Sequence, residues 1–242
     1  MSYTSINFMN KDEPNFIWKN QNAVIDMDCI IETELPEISP GQRYESIKVI
    51  GRSGELHETF GDYDAYDYVI ENVTIPYNRL AGVKGWLRGA GRLITHNDSD
   101  KYRECICNMG KETEFTNEWG IFYTFSIQFR CQPFRRKIQE KPNSFQKGIF
   151  TFTDPGDEVA KPLIEVDATG GDFAIQIGGK KLTVINALRG KVTIDCEFGK
   201  IIQETATLFS KGSWPTIQPG KNELISTGNL TGGKIINRSV WL

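Results

Sequence analysis

Two histidines, His57 and His96, are the only imidazoles in 242 residues, so any acid–base or metal chemistry that needs a neutral nitrogen has two candidates. His57 sits in GRSGELHETFGDY and His96 in ITHNDSD, and both surroundings read as exposed turns rich in Gly, Asx and Ser. No serine lies in a GxSxG elbow and no cysteine stands beside a credible base, so nucleophilic catalysis has no support. Glycines 51 and 54 of GRSGELH could suggest a phosphate cradle, but such a loop leads into a helix, and here another turn, Gly61-Asp62-Tyr63, follows. They are read as hairpin glycines. Asp62, Asp64 and Asp67 lack the sixth-position glycine and twelfth-position glutamate of a helix–loop–helix calcium site, and are expected to form a solvated loop with tyrosines free for contact.

Cys29, Cys105, Cys107, Cys131 and Cys196 are odd in number, widely spread and without CxxC spacing. They are expected to be reduced and partly buried, and no metal or cofactor is expected. On a strand, Cys105 and Cys107 face the same way without being aimed at each other. Trp214, ahead of Pro215 and the Gln218–Asn222 turn, could stack on a sugar ring; core packing is the competing reading. No residue is assigned a catalytic role.

The elements that would position these residues are mostly strands. Ile121, Tyr123, Phe125, Ile127 and Phe129 alternate with Phe122, Thr124, Ser126, Gln128 and Arg130, the period of a half-buried strand. Val69-Glu71-Val73-Ile75 shows the same step of two, as do Val192-Ile194-Cys196-Phe198. Phe173, Ile175 and Ile177 lead through Gly178-Gly179 into Leu182 and Val184, which predicts a tight hairpin. The exception is Asn78 to Gly91, where Leu80, Val83, Trp86 and Leu87 share one helical face and Gly89 or Gly91 can close the end. A boundary is expected between Pro133 and Gln146, because proline and the charge run RRKIQEKPN interrupt a sheet. Beyond it, strands recur about every ten residues, as in a small antiparallel sandwich.

Length and composition fit one large or two modest globular domains. The amino terminus has no basic stretch leading into an apolar one, and no run of about 18 apolar residues occurs, so neither a signal peptide nor a membrane span is expected. Net charge is −3, distributed unevenly. Residues 1–134 carry 13 Lys and Arg against 20 Asp and Glu, and residues 135–242 carry 15 against 11. An acidic first half argues against a grip on nucleic acid, which needs clustered cations.

Two successions of residues resemble the distal tail (Dit) proteins of long, non-contractile-tailed bacteriophages and prophages. The first runs Val49 to Leu56, Gly61-Asp62-Tyr63, the Trp86-Leu87 helix, Gly91-Arg92-Leu93 and Asp98 to Tyr102. The second runs Asp154 to Asp157, Pro162-Leu163-Ile164, Thr193-Ile194-Asp195, Gly212 to Pro215 and Pro219 to Asn222. The resemblance implies a mainly β protein: an N-terminal β-sandwich-like, ring-forming domain over 1–134 with one short helix and a hairpin, and a C-terminal galectin-like antiparallel β-sandwich over 135–242. In some relatives the last strand returns to the first domain, which leaves 232–242 open between the two. It implies a structural hub at the virion tail tip, assembled in the host bacterial cytoplasm. A hexameric ring would join the tail tube protein to the tail-associated tip protein and to baseplate or receptor-binding components. Phage DNA would pass through the lumen without specific binding, and an acidic lumen would keep it from sticking. No membrane insertion is implied.

Two rival readings carry different tests. A carbohydrate-binding module at the host cell surface would need Trp214 or a nearby tyrosine exposed as a platform beside polar groups. A two-carboxylate glycosidase would need two acids about 5 to 10 Å apart in a pocket.

Overall fold

A computed structural model describes residues 9–107 and 112–242. The chain divides into two compact units, Met1–Arg135 with Leu242, and Arg136–Trp241. The strands of the first are β1 (Phe16–Trp18), β2 (Gln21–Asn22), β3 (Ile30–Ile31), β4 (Gln42–Ile47), β5 (Leu56–Tyr63) and β6 (Tyr66–Pro76), then, after the helix α1 (Leu80–Trp86), β7 (Gly89–Thr95), β8 (Lys101–Cys107), β9 (Thr116–Glu118) and β10 (Phe122–Lys137). The second unit holds β11 (Asn143–Gln146), β12 (Gly148–Asp154), β13 (Leu163–Ile177), β14 (Lys180–Asp195), β15 (Lys200–Gln203), β16 (Ala206–Thr207), β17 (Ser210–Gly212), β18 (Gly220–Ile236) and β19 (Val240–Trp241). The protein is mainly β.

One sheet of the first unit runs β2-β1-β7-β8-β10-β6-β3, with β9 beside β10, while β4 and β5 pair only with each other. The alternation along β10 is as the period dictates: Phe125, Ile127, Phe129 and Cys131 are buried. Ile121 departs from it, being mostly exposed in the turn before the strand. In β6 the step of two breaks. Asn72 has φ +53°, and opposite Phe125 and Ile127 stand Val73 and Ile70, three residues apart against two. This β-bulge shifts the inward set to Tyr68, Ile70, Val73 and Ile75, turning Val69 and Glu71 outward. Pro133 does not end β10, which continues to Lys137. Its ladder with β6 finishes at Cys131 opposite Tyr66, so on that side no donor is missing at Pro133.

The helix is shorter than its apolar spacing predicts. A 3₁₀ turn occupies Tyr77–Arg79, α1 ends at Trp86, and Gly89, at φ +74°, starts β7. Val83, Trp86 and Leu87 are buried and Leu80 packs against the same core. That core is aromatic. Phe16 stacks on Trp86 at 5.6 Å, Trp18 meets Phe129 at 4.9 Å, and the two indoles exchange hydrogen bonds: Trp18 Nε1–H to the Trp86 carbonyl at 3.1 Å and Trp86 Nε1–H to the Trp18 carbonyl at 2.9 Å. Each ring is thus buried with its one donor satisfied.

In the second unit the order is β11-β18-β13-β14-β15-β16, with β12 on β18 and β17 on β14. The hairpin at Gly178-Gly179 forms with both glycines at positive φ, and Ile177 faces Lys180 across it. β13, β14 and β18 are long and bent. Their bends fall at Gly170-Gly171, Asn186, Gly190 and Gly228, all at positive φ, on neighbouring strands. At Gly228 a Cβ would come within 2.6 Å of the Asp172 carbonyl oxygen. The strand pattern expected through Phe198 stops at Asp195, whose Oδ1 accepts the N–H groups of Glu197 and Phe198 at 3.1 and 3.2 Å. That Asx turn leaves Phe198 exposed rather than in the core. β18 stays in this unit's sheet to Ile236.

Candidate interaction surfaces

The residues singled out for chemistry are absorbed one by one. His57 lies on β5 rather than in a turn, exposed, with Nδ1 3.0 Å from Ser46 Oγ and its ring edge-on to Tyr44 at 5.5 Å. His96 is not exposed at all. It is 1% accessible, and its Nε2 lies 2.8 Å from Glu34 Oε1. The turn placing it, His96–Asp98, folds inward because β7 delivers Thr95 and His96 into the interior. Asp62 and Asp64 are each held by Arg43, at 3.1 and 3.3 Å, and Asp67 by Arg130 at 3.2 Å. Asp62 and Asp67 sit on strands rather than in a loop. Among the described residues no cluster of His, Cys, Asp or Glu could hold a metal ion. All five cysteines are free and buried. Burial pushes the thiols of Cys29, Cys107 and Cys196 up to about 12, and that of Cys105 further, so none of these four is a ready thiolate at neutral pH. Trp214 is half-buried, its ring 3.8 Å from where a Cβ on Gly199 would sit.

Two carboxylates do approach each other in the second unit. Ser239 Oγ lies 2.5 Å from Asp154 Oδ1 and 2.9 Å from Glu140 Oε1, and Asn237 Nδ2–H donates to Asp154 at 3.0 Å. Asp154 is buried and its lone pairs are taken by the chain itself, which is how a structural tie looks. A second tie lies at Arg238. It grips Asp195 bidentately, Nη1–Oδ1 2.7 Å and Nη2–Oδ2 3.0 Å, and reaches Glu197 at 3.3 Å, while Arg136 meets Glu197 at 2.6 Å. Burial works against the Asp195 carboxylate, but Arg238 and the two backbone donors outweigh it and hold it below its ordinary range.

A corresponding network roots β4 and β5. In the segment between β3 and β4, Glu34 bonds His96, and Glu37 bonds Arg135 at 2.7 Å and approaches Arg103 at 3.6 Å. Arg135 also holds Asp98 at 3.0 Å, which in turn holds Lys101 at 2.7 Å. Arg103 is 1% exposed; it donates to Tyr66 Oη and Thr95 Oγ1 and lies over the Tyr68 ring at 5.2 Å. Burial opposes its charge, but Tyr66, Tyr68 and Glu37 outweigh it and keep it a cation. Sequence reasoning missed this network, because an arginine in a strand reads as solvent-facing; the acidic run IETELPE was the available signal.

What the roots support is apolar and uncovered. β4 and the first six residues of β5 are exposed on both faces, a condition in which a two-stranded hairpin has little stability of its own. Tyr44, Val49, Leu56 and Phe60 are exposed, and Ile50 at the tip is fully so. Gly51 and Gly54 are at positive φ within this tip, as hairpin glycines should be. A second apolar point is the β9–β10 turn. Trp119 (φ +58°) and Gly120 (φ +73°) are its two central residues, Ile121 N–H bonds the Glu118 carbonyl at 3.0 Å, and Asn117 Oδ1 caps Gly120 N–H at 2.9 Å. Asn, Asp or Gly normally fills the position of Trp119. Here a tryptophan takes it, 93% exposed, two residues before the exposed Ile121.

No protein-family model matches the sequence, and no curated protein matches it. Among solved structures, the chain is similar to the Dit protein (gp 19.1) of SPP1, described as a paradigm of the hub adsorption apparatus in phages that infect Gram-positive bacteria. The TM-score is 0.72 at 13% identity, over 95% of this chain and 99% of that one. The chain therefore shares, over 95% of its length, the mainly β fold of a phage distal tail protein.

Proposed function

We propose that this chain is a distal tail protein of a long-tailed phage or prophage, a structural component of the tail-tip adsorption apparatus rather than an enzyme. The supporting observation is the fold likeness to the SPP1 Dit protein across nearly the whole of both chains. The surfaces agree with it. The buried His96, Arg103 and Asp154 are tied up internally, and the first unit displays exposed apolar side chains on its hairpin and at the Trp119 turn. In this reading Met1–Arg135 builds a ring, which as a closed head-to-tail assembly needs two different patches on each subunit. Arg136–Trp241 carries attachments to baseplate or receptor-binding proteins, and the tube and tip proteins meet the ring's two faces. The site of action is the virion tail tip, reached by assembly in the host cytoplasm. A lectin role draws less support, since the half-buried Trp214 is packed over Gly199 rather than presented as a platform.

The test is the mass of the purified chain in solution together with negative-stain imaging. Rings of six with an open lumen are expected at high concentration, and addition of the tail tube protein should stack on them. A chain that stays monomeric at every concentration and does not bind tube protein would overturn the reading.

A further inference from the structure

We infer that the face of the β4–β5 hairpin carrying Glu45 and Glu58 docks, in a second copy of this chain, on the corner where α1 runs into β7, its two carboxylates met there by Lys19, Arg88 and Arg92. The inference rests on the ring reading above and names the two patches that such a ring would join. The ladder sorts the hairpin's side chains into two faces. On one, Ser46 stands opposite His57 and Tyr44 opposite Thr59, and this face answers itself, with Ser46 bonded to His57 and Tyr44 edge-on to the same ring. On the other, Ile47 stands opposite Leu56 and Glu45 opposite Glu58, and all four are exposed. Two carboxylates directly across a ladder repel, and the hairpin has no cation to set between them. Arg43 is taken by Asp62 and Asp64, Lys48 by Glu55, and Arg52 stands at the tip beyond the Ile47–Leu56 rung. Such a face also repels its own copy, so what fits it is a different surface, one that brings cations and little bulk.

The corner of α1 and β7 has that character. Ala81, Gly82 and Gly85 of α1 are exposed, and a Cβ at either glycine would meet nothing within 4 Å. Lys84 beside them is laid over the Phe115 ring at 5.0 Å, so a flat two-stranded ladder can come close to the helix. Three exposed cations stand at the helix end. Lys19 Nζ donates to the Arg88 carbonyl, and the Lys19 N–H reaches the Arg92 carbonyl at 3.3 Å, which gathers Lys19, Arg88 and Arg92 at one place. None of the three makes an ion pair among the described residues. Glu104 stands opposite Arg92 on the β7–β8 ladder, but the guanidinium is turned over the Tyr102 ring at 4.2 Å. The sequence of 108–111, Asn-Met-Gly-Lys, adds no acid. In the contact, Ile47 and Leu56 lie against the small residues of α1 and the aliphatic stems of the cations, whose charged heads reach Glu45 and Glu58. Lys19 and Arg92 belong to the β2-β1-β7 side of the sheet, whereas the hairpin leaves from the start of β6, four strand spacings or roughly 19 Å from β1. The two patches are thus different surfaces on different sides of one unit, as a head-to-tail contact requires, and their charges are complementary.

The test uses the full chain carrying Leu56→Cys and Ala81→Cys together, treated with a short bis-maleimide. The five native thiols are buried and serve as silent background. A ladder of cross-linked species extending to the full ring is expected from the double variant. A ladder is not expected from either single variant, which can link no more than pairs. Glu45→Lys with Glu58→Lys should raise the concentration needed for assembly by about tenfold or more, and Arg88→Glu alone should also weaken assembly. Combined, the three substitutions should assemble better than the two glutamate reversals alone, with the melting temperature of the dilute chain lowered by none of them. Rings that form but give no ladder, or whose assembly ignores the glutamate reversals, would overturn this docking while leaving the ring. Losses that simply add on combination would overturn the pairing of these two patches. A chain that neither assembles nor cross-links would overturn both the docking and the ring.

Discussion

At the scale of single residues, the buried cations and acids of this protein are fasteners. Arg103 is the most demanding of them, because its guanidinium is held by Tyr66, Thr95 and the Tyr68 ring with Glu37 close by. Removing one partner of such a buried network strands the others. Arg103→Met is expected to lower the stability of the first unit by about 2 to 4 kcal/mol in urea unfolding. Arg103→Lys should recover little of it, since an ammonium cannot reproduce the planar fork. The Asp195–Arg238 pair makes a pH prediction. Asp195 is held below its ordinary range in the fold, so it binds protons more readily when unfolded. Its contribution is complete above the unfolded value near pH 4 and is lost as pH falls through the folded one. Thermal melts of Asp195→Asn and the parent should therefore differ at pH 7 and converge as pH falls through the folded value. Residue type alone did not disclose these roles. His96 looked like a turn histidine because HNDS is turn-like, and only the strand that delivers it inward shows that it is buried.

At the scale of elements, period and punctuation carried far. The β10 alternation, the Gly178-Gly179 hairpin and the helix face of Val83, Trp86 and Leu87 were legible because each depends on neighbours in sequence. What was not legible depends on neighbours in space. The bulge at Asn72 put Val69 and Val73 on opposite faces, and on the β6 side Pro133 costs no ladder bond because that pairing had already ended. Phe198 left its strand because Asp195 captured two backbone donors. The uncovered hairpin and the Trp119 turn were readable only in part: the glycines 51 and 54 announced a turn, but nothing local announced that both faces would lack cover. Gly82 and Gly85 of α1 offer a test at this scale. Neither has positive φ, and a Cβ at either would meet nothing within 4 Å. Helix propensity alone makes Gly82→Ala with Gly85→Ala stabilising by roughly 1 to 2 kcal/mol, visible as a higher melting temperature of the isolated chain. If the same pair of substitutions impairs assembly, the bare helix surface is where another chain comes close.

At the scale of the whole molecule, the charge imbalance has a structural basis. Many acids of the first unit are spent on internal cations, as with Asp28 on Arg79 and Asp98 on Arg135 and Lys101. The excess lies in groups without an ion pair, Glu112 and Glu114 among them. In the proposed ring, a lumen lined by carboxylates would pass DNA without holding it, since like charge opposes phosphate contact. In an assembled ring, salt is expected to change DNA retention little, whereas a lumen of lysines would show the steep salt dependence of phosphate binding, measured by filter retention across 50 to 200 mM salt.

The two ties of the second unit have a consequence of their own. One glutamate, Glu197, touches both Arg136 at the start of that unit and Arg238 near its finish, and Ser239 meets Glu140 and Asp154 in the same way. The entrance and exit of the polypeptide are thus brought to a common seam, the arrangement of a cassette that can be unplugged. Joining residue 241 to residue 136 through a short glycine linker, and opening the chain instead between Gly178 and Gly179, should yield a permuted sandwich that folds and melts within a few degrees of its parent. A lineage could exchange such a cassette for another without redesigning what carries it.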